Sequence, residues 1–303
     1  MIKICDAKSP NVQGVTHAGV FHADEVFGAV ILAKKNGGEL NLARVNNAPA
    51  SLSDNVIVFD IGFGKFDHHQ TGGNGIRENG VPYASAGLIW KEYGLSLLGE
   101  VPNSQYAWEL VDRQLIQGID AIDCGKAIRS NSEPSAMTIS RSISLFNPRW
   151  DSQESFDDAF VKAFNFATTL FEQVLIDAVS QAKACLAIAE AVAKTTEKFL
   201  VLENYIEYHD AIFQCSHPHA KDILYVVYPN IRGGYCIQTV PKFQQSRSPR
   251  DTLPASWRGL SNAELAKVCG VPTATFCHKA GFLASASTLD GAIQMAKKAI
   301  SHK

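Results

Sequence analysis

Val56-Ile57-Val58-Phe59-Asp60-Ile61-Gly62 is an unbroken apolar run closed by a carboxylate, with a glycine two places on. Such a run of β-branched and aromatic residues reads as a strand buried on both faces, the form that strands take in parallel sheets. In open parallel sheets, ligands gather beyond the carboxyl ends of the strands, which makes Asp60 a candidate ligand. The competing reading is an Asp that caps a turn beside Gly62.

Just downstream, Phe66-Asp67-His68-His69-Gln70 sets a carboxylate before two imidazoles, and upstream Thr16-His17-Ala18-Gly19-Val20-Phe21-His22-Ala23-Asp24-Glu25 adds two more. Oxygen and nitrogen donors at this density suit Mn, Fe, Zn or Co. An isolated His-His pair would read equally well as solvated loop. Recurrence of ligand-rich clusters between apolar runs favours a metal site, with His17, His22, Asp24, Asp60, Asp67 and His68 as candidates. Adjacent side chains usually diverge, so His69 is placed behind the ligands or as an acid group.

Outward from these clusters, the stretch from Val15 reads as a loop leading into a buried helix through Val26 to Ala33, stopped by Gly37-Gly38. Leu40 to Val45 is a short strand, and the Gly- and Asn-rich segment Gln70 to Gly80 a loop beside the site. A helix from Pro82 is expected to end near Gly94, its small residues allowing close approach to the sheet. Ala107 to Ile122 is helical and carries Asp112, Asp120 and Asp123. Asp120 and Asp123 share a face at a spacing of three, either to meet a cation or as a solvated acidic face. Gly125 just after them suggests a helix end near a site.

Phe156 to Lys198 reads as one or two long helices with apolar residues at helical spacing. Beyond it, Ile223–Tyr228, Tyr235–Val240 and Thr273–Cys277 are strand-like, Gly233-Gly234 is a turn, and Asp290–Ile300 a closing helix. The expected organisation is a catalytic domain over residues 1–140, then a helical connector and mixed α+β substrate-binding domain over 141–303. The boundary is a soft one, between Asn131 and Asp151.

The 303 residues carry 28 basic and 30 acidic side chains, a net charge of -2 that exerts no global pull on polyanions. A nucleic-acid substrate would need local cations. Arg247 and Arg250, with His278, Lys279 and Gly281, are the candidates for a phosphate-binding face. Trp257 reads as core or interface, with base stacking as the alternative. Seven scattered cysteines without a CxxC pair indicate reduced thiols. With no signal-peptide pattern and no membrane-length apolar run, a cytoplasmic protein without a membrane partner is expected.

If His17, His22, Asp24, Asp60, Asp67, His68 and the Asp120/Asp123 pair converge, they exceed the needs of one ion. Two metals about 4 Å apart, serving phosphate-ester hydrolysis, is the economical reading.

Thr16–Glu25 and Phe66–Gln70, with Ser85-Ala86-Gly87, Asp120-Ala121-Ile122-Asp123, Asn147-Pro148-Arg149-Trp150, Leu253-Pro254, Trp257-Arg258-Gly259-Leu260 and His278-Lys279-Ala280-Gly281-Phe282, resemble the MYG1 (UPF0160) family of the DHH phosphoesterase superfamily. The resemblance runs through most of the chain. It implies an α/β fold, with a parallel-sheet DHH-type catalytic domain and a smaller C-terminal substrate-binding domain. It also implies a dinuclear Mn2+ or Mg2+ site and 3′-to-5′ exonuclease activity on RNA or short oligonucleotides.

Carried over by position, the first motif falls on His17, His22 and Asp24, the second on Asp60, the third on Asp67, His68 and His69, and the fourth on Asp120 or Asp123. His68, His69 and Asp67 then stand nearest the chemistry. His22 replaces an Asp of many relatives, and the glycine-rich His motif is reduced to His278-x-x-Gly281. The competing functions are a phosphohydrolase of pyrophosphate or nucleotides and a non-catalytic metal-binding module. Assembly into a homo-oligomer is compatible with all three.

Overall fold

Val15 and Thr16 are wholly buried, because their strand has a neighbour on either side. The computed structural model describes residues 1–126, 136–244 and 246–302. Asn131, where the expected boundary zone begins, lies outside the described residues. The chain divides into two compact units, Met1–Ser180 and Gln181–Lys303.

The first unit is built on a parallel sheet of β1 (Ile2–Ile4), β2 (Gly14–His17), β3 (Leu40–Val45) and β4 (Ile57–Val58), in the order β1-β3-β2-β4. From β2 the chain goes to β3 on one side and then to β4 on the other. The carboxyl ends of β2 and β4 therefore flank a switch point, where open α/β sheets place ligands. His17 ends β2, and Asp60 follows β4 by two residues.

Two expectations are corrected here. Val15 to His17 are strand, not loop; only Val15 is a large apolar residue, so alternation gave no signal. Val56–Phe59 is not buried throughout, since only Phe59 reaches 0% exposure. The reason is that β4 is the outer strand of this sheet among the described residues, with one partner.

α1 (Ala23–Lys35) is buried from Ala23 to Ala33 and ends at Gly37 and Gly38, which take φ of 77° and 100°. It packs closely on α2 (Ser85–Leu98): a Cβ on Gly28 would lie 2.9 Å from Ile89 Cδ1. α2 passes through Gly94 instead of stopping there. A Cβ at 94 would sit 2.5 Å from the Trp90 ring, so this glycine makes room for the indole, and the stop comes at Gly99. Trp90 stacks on Trp108 with the rings 6° from parallel, and each indole N–H donates to the other residue's carbonyl.

The helix expected over Ala107–Ile122 is a continuous rod with an interruption in its hydrogen bonding. α3 (Ser104–Val111) passes into a π-helical turn at Asp112–Ile116 and then α4 (Gln117–Asp123). α5 (Ile139–Ser144) follows, and α6 (Phe156–Lys194) is one helix of 39 residues.

The second unit is a mixed sheet in the order β5-β6-β7-β9-β8, made of β5 (Phe199–Val201), β6 (Tyr225–Pro229), β7 (Tyr235–Thr239), β8 (Ala274–Cys277) and β9 (Leu283–Ala286). β5 runs parallel to β6, and the other pairs are antiparallel. Gly234 makes the β6–β7 turn, at φ of 73° and with no room for a Cβ beside the Ala286 carbonyl. α7 (Tyr208–Gln214), α8 (Asn262–Cys269) and α9 (Leu289–Ser301) complete it, and α9 contributes Met295 and Ala296 to a core that holds Trp257. Among the described residues no helix is long and apolar enough to cross a membrane.

Candidate metal centre

Several segments around the switch point deliver ligand-type side chains. β2 supplies His17, the first turn of α1 supplies Asp24 and Glu25, the residues after β4 supply Asp60, Asp67, His68 and His69, and the end of α4 supplies Asp123. Asp24, Glu25, Asp60 and Asp67 are buried. Four overlapping sets of donor atoms lie within 4.8 Å of one another: Asp60 with Asp67, His68 and His69; His17 with His22 and Glu25; His22 with Asp24 and Asp123; Asp24 with Glu25 and Asp60.

Local backbone chemistry sets these positions. His22 N–H donates to the Glu25 carboxylate at 2.8 and 2.9 Å, closing the start of α1 and turning Glu25 inward. At the start of α2, Ser85 Oγ donates to Asp60 Oδ1 at 3.0 Å and its N–H approaches Asp24 Oδ2 at 3.4 Å. Asn147, after α5, accepts from Phe21 N–H at 3.0 Å and donates to its carbonyl at 2.8 Å, pinning the loop before His22.

His17 Nδ1 faces the Ala18 carbonyl at 3.1 Å, which can only accept, so this nitrogen carries the hydrogen. Nε2 then points at Glu25 Oε1 and Asp60 Oδ2, 3.0 and 3.2 Å away. A lone pair facing two carboxylates calls for a positive charge between them. Burial disfavours protonation of His17, but Asp60 and Glu25 outweigh it and raise its pKa to about 10.

His68 Nε2 meets Asp123 Oδ2 at 2.9 Å, while its Nδ1 is buried without a hydrogen-bond partner, 3.7 Å from both Asp24 and Asp60. Burial opposes charge on His68, and the carboxylates of Asp123 and Asp60 reverse the balance and raise its pKa. Asp24 Oδ1 is likewise buried and unpartnered. Burial, together with Asp60, Glu25 and Asp123, pushes the Asp24 carboxyl well above the usual range. Orphaned donor atoms, crowded carboxylates and an imidazole lone pair aimed inward fit divalent cations.

His69 is held by Asp67, whose Oδ1 lies 2.7 Å from Nδ1 and also accepts the His69 backbone N–H. The expectation that neighbouring side chains diverge fails here: the His68 and His69 rings stack, 4.3 Å apart. Asp67 turns both backbone and ring of His69 back toward itself, and that folds the second imidazole over the first.

Asp120 stands apart from the cluster. Although three residues from Asp123, it pairs with Arg77 Nη2 at 2.8 Å and accepts the Gly87 N–H at 3.0 Å. Burial pushes its carboxyl up to about 7, against the pull of Arg77. Arg77 also forks onto Asp112 at 2.7 and 3.0 Å. Asp123 alone of the pair reaches His68, and His22 stands 4.0 Å from it.

In the second unit, Arg250 donates to the carbonyls of Pro241, Ala220 and Ile223 and lies over the Phe213 ring, so its guanidinium braces the backbone. Arg247 and Lys279 are exposed, and His278 Nδ1 accepts the Ala280 N–H. Gly281, at φ of 69°, leaves room for Arg258, whose Nε would be 2.7 Å from a Cβ. Trp257 is core.

Glu25 joins the cluster, Ser85 touches two of its carboxylates and Arg77 holds Asp120 apart from it, and none of the three was among the sequence candidates. Glu25 and Ser85 lie inside quoted motifs; Arg77 sits in a polar loop and offered no signal.

The sequence profile of the family described as MYG1_exonuc, an uncharacterised protein family (UPF0160), matches residues 14–300. A Saccharomyces cerevisiae protein named a MYG1 protein is 29% identical over 321 residues, 94% of each chain. One from Schizosaccharomyces pombe, also named a MYG1 protein, is 27% identical across 95% of this chain and 97% of its own. A Homo sapiens protein named MYG1 exonuclease is 27% identical across 95% of this chain and 85% of its own.

Proposed function

Because the chain belongs to the MYG1 (UPF0160) family, we propose that it is a metal-dependent phosphodiesterase that removes nucleotides from the 3′ end of RNA or short oligonucleotides. The observation that carries this reading is the pair of buried, unpartnered atoms His68 Nδ1 and Asp24 Oδ1 within one crowd of carboxylates. The exonuclease name of similar proteins supports the choice of substrate.

His17, Asp24, Asp60, His68 and Asp123 would hold two Mn2+ or Mg2+ ions, with Glu25, His22 and Asp67 in reach. Bound there, the ions would lower the pKa of a water and offset charge on a phosphoryl group. The rest of the work falls to the chain itself. Ala18 fixes the tautomer of His17, and Glu25 and Asp60 fix its ring. Ser85 holds Asp60 from the start of α2, and Gly87 in turn ties α2 to Asp120 and Arg77. Asp67 holds His69 by Nδ1, leaving Nε2 to give a proton to a leaving oxygen.

The test is a panel of RNA and DNA oligonucleotides labelled at either end, incubated with Mn2+ beside pyrophosphate and mononucleotides. A ladder shortening from the 3′ end is expected. Turnover of pyrophosphate or mononucleotides alone would replace this reading with a small-molecule phosphohydrolase.

A further inference from the structure

A cavity of about 870 Å³ opens from the metal-type cluster within the first unit, with His22, His68, His69 and Asp123 in its wall. That volume lies within the range of small-molecule sites. Two features away from the cluster give it a chemical direction.

One is Arg141, the single lysine or arginine that lines it among the described residues. Arg141 is exposed, and among the described residues its guanidinium gives one hydrogen bond, to Ser144 Oγ at 3.2 Å. No carboxylate among the described residues pairs with it. Arg44 and Arg77 of the same unit are, by contrast, bound to Asp157 and to Asp112 and Asp120. A guanidinium with no carboxylate partner among the described residues, sharing a cavity with a carboxylate-rich centre, is arranged for an anion that both would hold, since its planar fork matches phosphate oxygens. The other feature is an apolar wall of Ile76, Pro82 and Tyr83 beside the side-chain-free Gly72 and Gly73. Ile76 is 68% exposed, so its side chain is open to whatever enters the cavity.

We propose that this cavity is the subsite for the terminal nucleotide of the substrate, with Arg141 on a phosphate and the Ile76-Pro82-Tyr83 wall against the nucleoside. The proposal deepens the phosphodiesterase reading and rests on it. It moves the cationic contact from the second unit, where Arg250 is taken by carbonyls, to the first.

The intact protein tests it with adenosine 5′-monophosphate and inorganic phosphate, titrated calorimetrically, and with a dinucleotide as substrate. Arg141→Gln should weaken binding of both anions and raise KM by about tenfold, the usual worth of one charge-assisted hydrogen bond. Metal content and kcat should hold, and Arg141→Lys should recover part of the loss. Ile76→Ser should weaken the nucleotide but not inorganic phosphate. Unchanged affinities and KM in Arg141→Gln, with active wild type, would overturn the subsite. Arg141-dependent nucleotide binding by a wild type that cleaves no phosphodiester would keep the subsite and sink the phosphodiesterase reading.

Discussion

Gly87 donates its backbone N–H to Asp120 Oδ1 at 3.0 Å, and a side chain on Gly87 would overlap the other oxygen of the same carboxylate. The carboxylate therefore rests on bare backbone, with Arg77 2.7 Å from the point where a Cβ would stand. Two residues before Gly87, Ser85 touches Asp60 and Asp24. The close packing at Gly87 thus lies two residues along α2 from the contacts that Ser85 makes with two candidate ligands.

Gly87→Ala should consequently cost about 1–3 kcal/mol by overpacking, read as a lower denaturant midpoint. It should also lower metal affinity, because the start of α2 must move. Wild-type stability and metal content in this variant would disprove the link.

His17 gives a pH dependence with a definite sign. Its folded pKa, about 10, lies above the ordinary histidine value of 6.5. The protonated imidazole between Glu25 and Asp60 therefore stabilises the ion-free fold fully below pH 6.5, and this contribution is lost as pH rises toward 10. Melting temperatures in chelator should fall across that window, and His17→Gln should flatten the slope. Divalent ions should bind more tightly over the same range, since binding must displace the proton.

His68→Ala removes the nitrogen that faces Asp24 and Asp60 and the one that meets Asp123. Elemental analysis should show depleted metal, and turnover should fall by at least about 10²-fold, as the loss of an activated water requires. Unchanged hydrolysis by folded protein would favour a structural or regulatory role for the ion.

Asn147→Ala leaves the N–H and carbonyl of Phe21 without their partner. The expected loss is about 1–3 kcal/mol, the penalty for unsatisfied groups at a part-buried position, measured by chemical denaturation.

The sequence was most legible where chemistry is dense and the pattern long. Asp24, Asp60, Asp67 and His68 could be singled out because carboxylates and imidazoles interrupt apolar runs, and α6 because its apolar spacing persists. Short strands were not legible: Leu283–Ala286 carries one large apolar residue, and Gly14–His17 has Val15 alone. Asp120 and Asp123 looked equivalent because spacing gives a shared face but not the partner each one meets. Arg77 decides that, and it arrives from a loop with no periodicity at all. Gly94 looked like a stop because the indole it accommodates is a matter of packing, invisible in a linear pattern.

Asp60 takes φ of 55°, a left-handed backbone that asparagine and aspartate tolerate better than other side chains and glycine best of all. Mutagenesis at this position therefore changes two things at once unless the replacement is chosen for its backbone. Asparagine discharges the side chain and keeps the bend, glycine deletes the side chain and keeps the bend, and alanine disturbs both. Only the first two report on the carboxylate itself.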